Sequence, residues 1–522
     1  MQKKILVLVC AILALISVAG CGNSDTANSG KKVLRMAAQD PQVPLDPQKH
    51  TYSHLLKISD QILEPLIIAG DGGQLKPLLL AEMPQLKDDK KTYSFTLKSG
   101  VKFHNGEILK SSDVKYSFMR LLTEGKMGNL IDMIQGADKL EKKESNDLEG
   151  FKIIDDTHFE ITLTGPYVPF LAAIATDYVV IYPEQACKAA GNDWGIKTLI
   201  GTGPFKLEAY NQGTSVILVK NENYHGVAPK LDEVDFKFIQ DPNTQVMEYQ
   251  KGNVDLLQLD SALYPTFANN EELKKDMHSF SPYGLVFLTM NTQKISDPKV
   301  REALSYAIDR NAICQDLLYG TATPAKTFIP KGLLGYDEGA AEYAYNPEKA
   351  KQLLAEAGYP DGIDLVAQDN TKYPTYSKLL VAIQEQAKAA GIRITINQVD
   401  NAAWADMKHS GKMTMAVSNW YIDYVDPDGM IYQTMSEKLT KQNSNFYADP
   451  IFNNLLNTAR ATLDSSQREA MYKQADQILT RKDYAAIPIC NETMFYLAKS
   501  YVKGFNVDSS YRYYFGTTDI QK

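Results

Sequence analysis

Stretches of period two and stretches of period 3.6 alternate along almost the whole chain. This interleaving excludes an all-α or all-β fold and leaves α/β or α+β. Residues 33–38, 93–97, 159–163, 215–219, 234–238, 285–289 and 392–398 read as strands, with closing strands at 487–489 and 494–497. Residues 52–66, 244–250, 378–390 and 466–480 read as helices. Start and stop signals sharpen the reading. Asp297-Pro298 and Asn346-Pro347 each place a capping side chain before a first-turn proline. Ser111-Ser112-Asp113 does the same without proline, and Gly358 and Gly391 end helices. At 522 residues the chain exceeds one hydrophobic core, so two or three domains are expected.

The formal net charge of -8 argues against nucleic acid as a partner. Lys3 and Lys4 precede an apolar run, residues 5–16, that fits a signal segment and is too short to span a bilayer. The run ends in Val18-Ala19-Gly20-Cys21, which resembles a bacterial lipobox. That resemblance implies cleavage before Cys21, lipid attachment there and an extracytoplasmic location on the cell membrane. Residues 22–32 are small and polar, as a tether would be. Cys187, Cys314 and Cys490 are widely spaced and read as buried thiols.

Catalytic and metal motifs are missing. Residues 191–198, Gly-Asn-Asp-Trp-Gly-Ile-Lys-Thr, lack the spacing of a phosphate-binding loop. No nucleophile elbow and no zinc-binding His-Glu-x-x-His occurs. His50 and His54 read as surface side chains rather than metal ligands, and the pairs Asp88-Asp89 and Asp155-Asp156 as solvated turns. No cofactor, metal or enzymatic activity is expected.

One stretch stands out, Asn419-Trp420-Tyr421-Ile422-Asp423, followed by the turn signals Asp426-Pro427-Asp428-Gly429. An acid beside two aromatics at a strand end can receive an ammonium group. An ordinary strand and turn would read the same way.

Four segments then point to a family. They are residues 93–114, with Tyr-Ser-Phe-Thr-Leu-Lys-Ser-Gly-Val-Lys-Phe-His-Asn-Gly; Gly201-Thr202-Gly203-Pro204-Phe205 with residues 221–226; residues 300–310; and residues 350–362. Together they resemble the extracellular solute-binding proteins of peptide/nickel ABC importers, close to the lipid-anchored oligopeptide binders. The resemblance implies a two-lobed, type II periplasmic-binding-protein-like clamp with an extra inserted domain. Lobe I would comprise residues 33–52, 200–285 and 488–522, the inserted domain 53–199 and lobe II 286–487. Hinge crossings would fall at 282–285 and 487–491. The implied ligand is an oligopeptide, with a dipeptide, signalling peptide, nickel chelate, haem or sugar as alternatives in the same α/β fold and an extracytoplasmic hydrolase as the alternative of another class. The implied partner is a permease with its ATPase subunits, and the implied state a monomer. Asp423 would take the ligand's α-ammonium, with Asn419, Trp420 and Tyr421 lining the strand. Gln39, Asp40, Gln42 and Val43 would face them from lobe I, with residues 258–261, beginning at Gln258, as a further wall. No arginine precedes Trp420 to grip a carboxylate; Lys408, His409, Lys412 and Arg393 are the cations in reach.

Overall fold

The computed structural model describes residues 30–70 and 73–522. The signal segment and Cys21 lie outside them. Two larger sheets organise the chain. A seven-stranded mixed sheet runs Met277–Phe280, Met494–Ala498, Leu256–Leu259, Val33–Ala38, Glu233–Phe238, Ser215–Lys220, Phe205–Asn211. Val33–Ala38 is parallel to both its neighbours, Glu233–Phe238 and Leu256–Leu259, and the other pairings of this sheet are antiparallel. A four-stranded antiparallel sheet runs Ala322–Pro324, Ala486–Glu492, Gly284–Met290, Met415–Tyr421. A smaller antiparallel sheet, Gln85–Leu86, Thr92–Thr96, His158–Thr162, Phe151–Ile153, packs on the helix Ser111–Glu124. The chain passes from the first sheet to the second along neighbouring strands, Gly284–Met290 and Ala486–Glu492, with Val286 opposite Cys490.

The capping signals work as chemistry requires. Asp297 accepts the Lys299 N–H at 2.8 Å and Asn346 that of Lys349 at 3.0 Å, each satisfying an orphan donor for about 1 kcal/mol. Two readings change. The helix Ser111–Glu124 is capped from Lys110, and Asp113 sits in its first turn, accepting the Lys110 N–H at 3.0 Å. The helix expected over 52–66 is only Ser53–Ser59. Beyond it, buried Gln61 and Glu64 are committed to distant partners: Gln61 to the backbone of Tyr513 and Phe515, Glu64 to Thr202, Tyr224 and His225. Leu55, Ile58, Ile62 and Leu63 pack with the seven-stranded sheet rather than with the smaller one. His50 and His54 are half-buried rather than surface side chains, and burial pushes His54 down to about 4.

Two of the recognised segments form one joint. His104 bonds through Nε2 to the Gly203 carbonyl at 2.9 Å and receives the Gly201 N–H on Nδ1. A Cβ at Gly201 would lie 2.1 Å from the Ile62 carbonyl oxygen, so only glycine permits the approach. The buried His225–Glu64 contact, 2.7 Å, closes the joint.

Asp426 and Asp428 do more than make a turn. Asp428 is fully buried and faces Arg460 Nε at 3.0 Å, while Tyr424 donates to it at 2.7 Å. Asp426 pairs with Arg468 at 2.9 Å. From residues near the smaller sheet, Tyr167 donates to Asp428 at 3.3 Å and the Val168 N–H donates to the Arg460 carbonyl at 2.8 Å. The Arg460 guanidinium stands 3.6 Å above the Tyr432 ring. Asp428 is therefore stable only with its cation in place. Arg460→Met should cost roughly 3–5 kcal/mol in denaturant unfolding, and adding Asp428→Asn should restore part of it.

Candidate functional site

The strand Met415–Tyr421 carries the candidate stretch. Its inner edge pairs with Gly284–Met290, Trp420 opposite Leu285 and Tyr421 opposite Gly284. Among the described residues no strand pairs with its outer edge. An open edge inside a cleft presents a row of backbone donors and acceptors. Three adjoining cavities, of about 270, 210 and 390 Å³, surround this strand.

Asp423 faces the first cavity with Trp420, Tyr421, Tyr178 and Arg512. Among the described residues its carboxylate has no hydrogen-bond or ion-pair partner, and burial raises its pKa to about 7. Arg512 does not neutralise it, being held at 2.7 Å by Asp177 with Asp60 and Asp508 beside it. Tyr511 closes this side, its ring stacked 6.0 Å from that of Tyr421.

The second cavity shares Asn419 and Trp420 with the first. Lys408 enters it from the helix Asn401–His409, among Asn370, Asn443 and Asn445. Burial lowers the Lys408 pKa, and its ammonium has no partner among the described residues. The other expected cations are elsewhere. Arg393 is exposed and paired with Asp364 at 2.6 Å, Lys412 is exposed near Asp406, and His409 is exposed.

The third cavity is lined by Tyr421 again, by Gln39, by the wall Gln258 to Ser261, and by Glu492. Gln258 is already engaged there, its carbonyl accepting from Lys57 at 2.7 Å and Tyr511 at 2.8 Å. Asp40, Gln42 and Val43 line none of these cavities. The Asp40 carboxylate instead receives the N–H groups of Gln42 and Gly213, both at 2.9 Å, and the Val43 carbonyl accepts from Tyr210. The structure thus brings Asn419, Trp420, Tyr421, Asp423, Gln39 and Gln258 around one cleft. It adds Arg512, Asp177, Tyr511 and Glu492, which sequence reasoning missed. A usable signal was the Tyr-Arg-Tyr-Tyr run at 511–514, polar and aromatic near the chain end.

Comparisons with known proteins follow the same lines. The family described as bacterial extracellular solute-binding proteins, family 5 Middle, matches residues 74–442. The dipeptide-binding protein of Escherichia coli K12 is 30% identical over 85% of this chain and 86% of its own length. Heme-binding protein A of Haemophilus influenzae is 29% identical over 87% and 86% respectively. The periplasmic binding protein DppA of Helicobacter pylori, solved with the peptide STSA, superposes with a TM-score of 0.78 at 25% identity. That match covers 94% of this chain and 98% of the other. The architecture is accordingly the two-lobed α/β clamp of type II.

A carboxyl group raised from 3.8 to about 7 has a defined linkage. Its neutral form suits the empty fold. Its contribution to stability is therefore full below about pH 4 and is lost as pH rises toward 7. Carboxyl-carbon NMR should show Asp423 titrating near 7, and Asp423→Asn should remove this component from the pH–stability curve. A midpoint below 5 would contradict the burial argument.

Proposed function

This chain belongs to the bacterial extracellular solute-binding proteins of family 5, and we propose that it captures oligopeptides for an ABC importer. It is a binding protein, not an enzyme. The observation that carries the peptide reading is a half-buried carboxylate without a counter-charge among the described residues, Asp423, at the end of an open strand edge. An extended peptide offers what that edge lacks. Its backbone pairs with the edge whatever its sequence, and its α-ammonium supplies the missing cation. Side chains fall into the adjoining cavities, where ordered water tolerates variety. Lys408 serves the ligand's free carboxylate, supported by its position in the second cavity without a partner. Among the described residues no histidine or cysteine lines the three cavities, which disfavours a haem or metal-chelate ligand.

The division into lobe I, inserted domain and lobe II is proposed as the sequence suggested, with one adjustment. Residues 53–63 go with lobe I, because their apolar side chains join its core. Closure turns on residues 282–285 and 487–491, at the start of one and within the other of the paired strands Gly284–Met290 and Ala486–Glu492. The loaded monomer delivers its ligand to the permease and its ATPase subunits, held at the membrane by lipid on Cys21.

Titration calorimetry tests both anchors. Asp423→Asn should weaken a free-amine tripeptide by about 2 kcal/mol or more, roughly thirtyfold, and abolish discrimination against its N-acetylated form. Lys408→Met should erase the preference for a free over an amidated carboxyl end. Equal wild-type affinity for acetylated and free-amine peptides would remove Asp423 from this role.

A further inference from the structure

The third cavity holds an acid that the peptide's two ends do not use. Glu492 closes the strand Ala486–Glu492, and its carboxylate faces about 390 Å³ of space. Its Oε2 accepts from Tyr421 at 2.7 Å and from Tyr376 at 3.4 Å. Its Oε1 has no donor among the described residues. Nor does any Lys or Arg among them pair with it. Two lysines are near. Lys372 lines the same cavity; it is exposed, and its ammonium lies 5.7 and 5.6 Å from the rings of Tyr52 and Tyr373 rather than on Glu492. Lys57 is tied to Gln258 at 2.7 Å. Burial raises the Glu492 pKa, as it does for a carboxyl lacking a counter-charge.

We infer that Glu492 forms a second anionic subsite, which takes a lysine or arginine side chain of the bound peptide. Two phenols hold the carboxylate in place and leave one oxygen open. An ammonium or guanidinium arriving there completes the ion pair with most of the desolvation already borne by the empty protein. Gln39 and Asp260, on the same cavity wall, offer further acceptors, and the Tyr376 and Phe495 rings cover an aliphatic stem. Tyr421 lines both this cavity and that of Asp423, so one strand residue lies beside the ligand's amino end and its cationic side chain. The inference rests on the peptide reading and adds to it a preference by charge.

The test uses six tripeptides: alanine backgrounds with one lysine, or its uncharged isostere norleucine, at each position. Binding is measured by calorimetry on wild type, Glu492→Gln and Glu492→Asp. At one position wild type should favour lysine at least tenfold. Glu492→Gln should bring that ratio near one while leaving the norleucine peptide within threefold. Glu492→Asp, which keeps the charge, should retain a reduced preference and guards against a folding defect in the amide variant. Equal affinity for lysine and norleucine at all three positions overturns the inference, as does a preference that survives Glu492→Gln, and in either case peptide binding itself stands. Failure of all six peptides to bind wild type overturns the peptide reading, and the inference with it.

Discussion

A half-buried carboxyl group without a cation is the constraint on which the cleft depends. The charged form of Asp423 is disfavoured in the empty protein, and no cation among the described residues pairs with it. Arg512, the one guanidinium among the described residues of its cavity, is claimed by Asp177. Arg460 and Arg468, near in sequence space to no part of the strand, are claimed by Asp428 and Asp426. The neighbouring acids are neutralised so that this one is not. Glu492 likewise has no Lys or Arg partner among the described residues, Lys57 being bonded to Gln258 instead. The cleft therefore holds two acids whose counter-charges these residues do not supply.

The segments that carry the family resemblance lie mostly away from that cleft. His104, Gly201, Gly203 and His225 build a joint around residues 61–64, and Asp297 and Asn346 cap the helices that begin at Pro298 and Pro347. These are contacts of the frame. The cavities are lined instead by a few side chains at strand ends and on the helix Asn401–His409. A family can share a frame and still differ in what it binds, as relatives named for dipeptides and for heme illustrate.

Local patterns made the strands and most helices legible, because period and capping act within a few residues. The place of Asp423 beside two aromatics just past a strand end was legible in its local sequence. What escaped depends on partners far apart in the chain. Asp428 reads as a turn residue until Arg460 and Tyr167 are seen beside it. Arg512 and Asp177 are 335 positions apart, and nothing near either announces the other. Lys408 was one of four equivalent cations until depth set it apart. The segment around Asp40 failed for a related reason: its side chain prefers the nearby donors of Gln42 and Gly213, which turn it from the cleft.

The contact of Tyr167 and Val168 with Asp428 and Arg460 is specified in two different ways. Val168 gives only its backbone N–H, which any residue but proline would supply. Tyr167 gives a hydroxyl, which phenylalanine would lack. One half of the joint thus depends on the course of the chain and the other on a single oxygen atom. A substitution at 168 that keeps that course leaves the joint standing, while loss of one atom at 167 leaves a buried acid with one donor fewer.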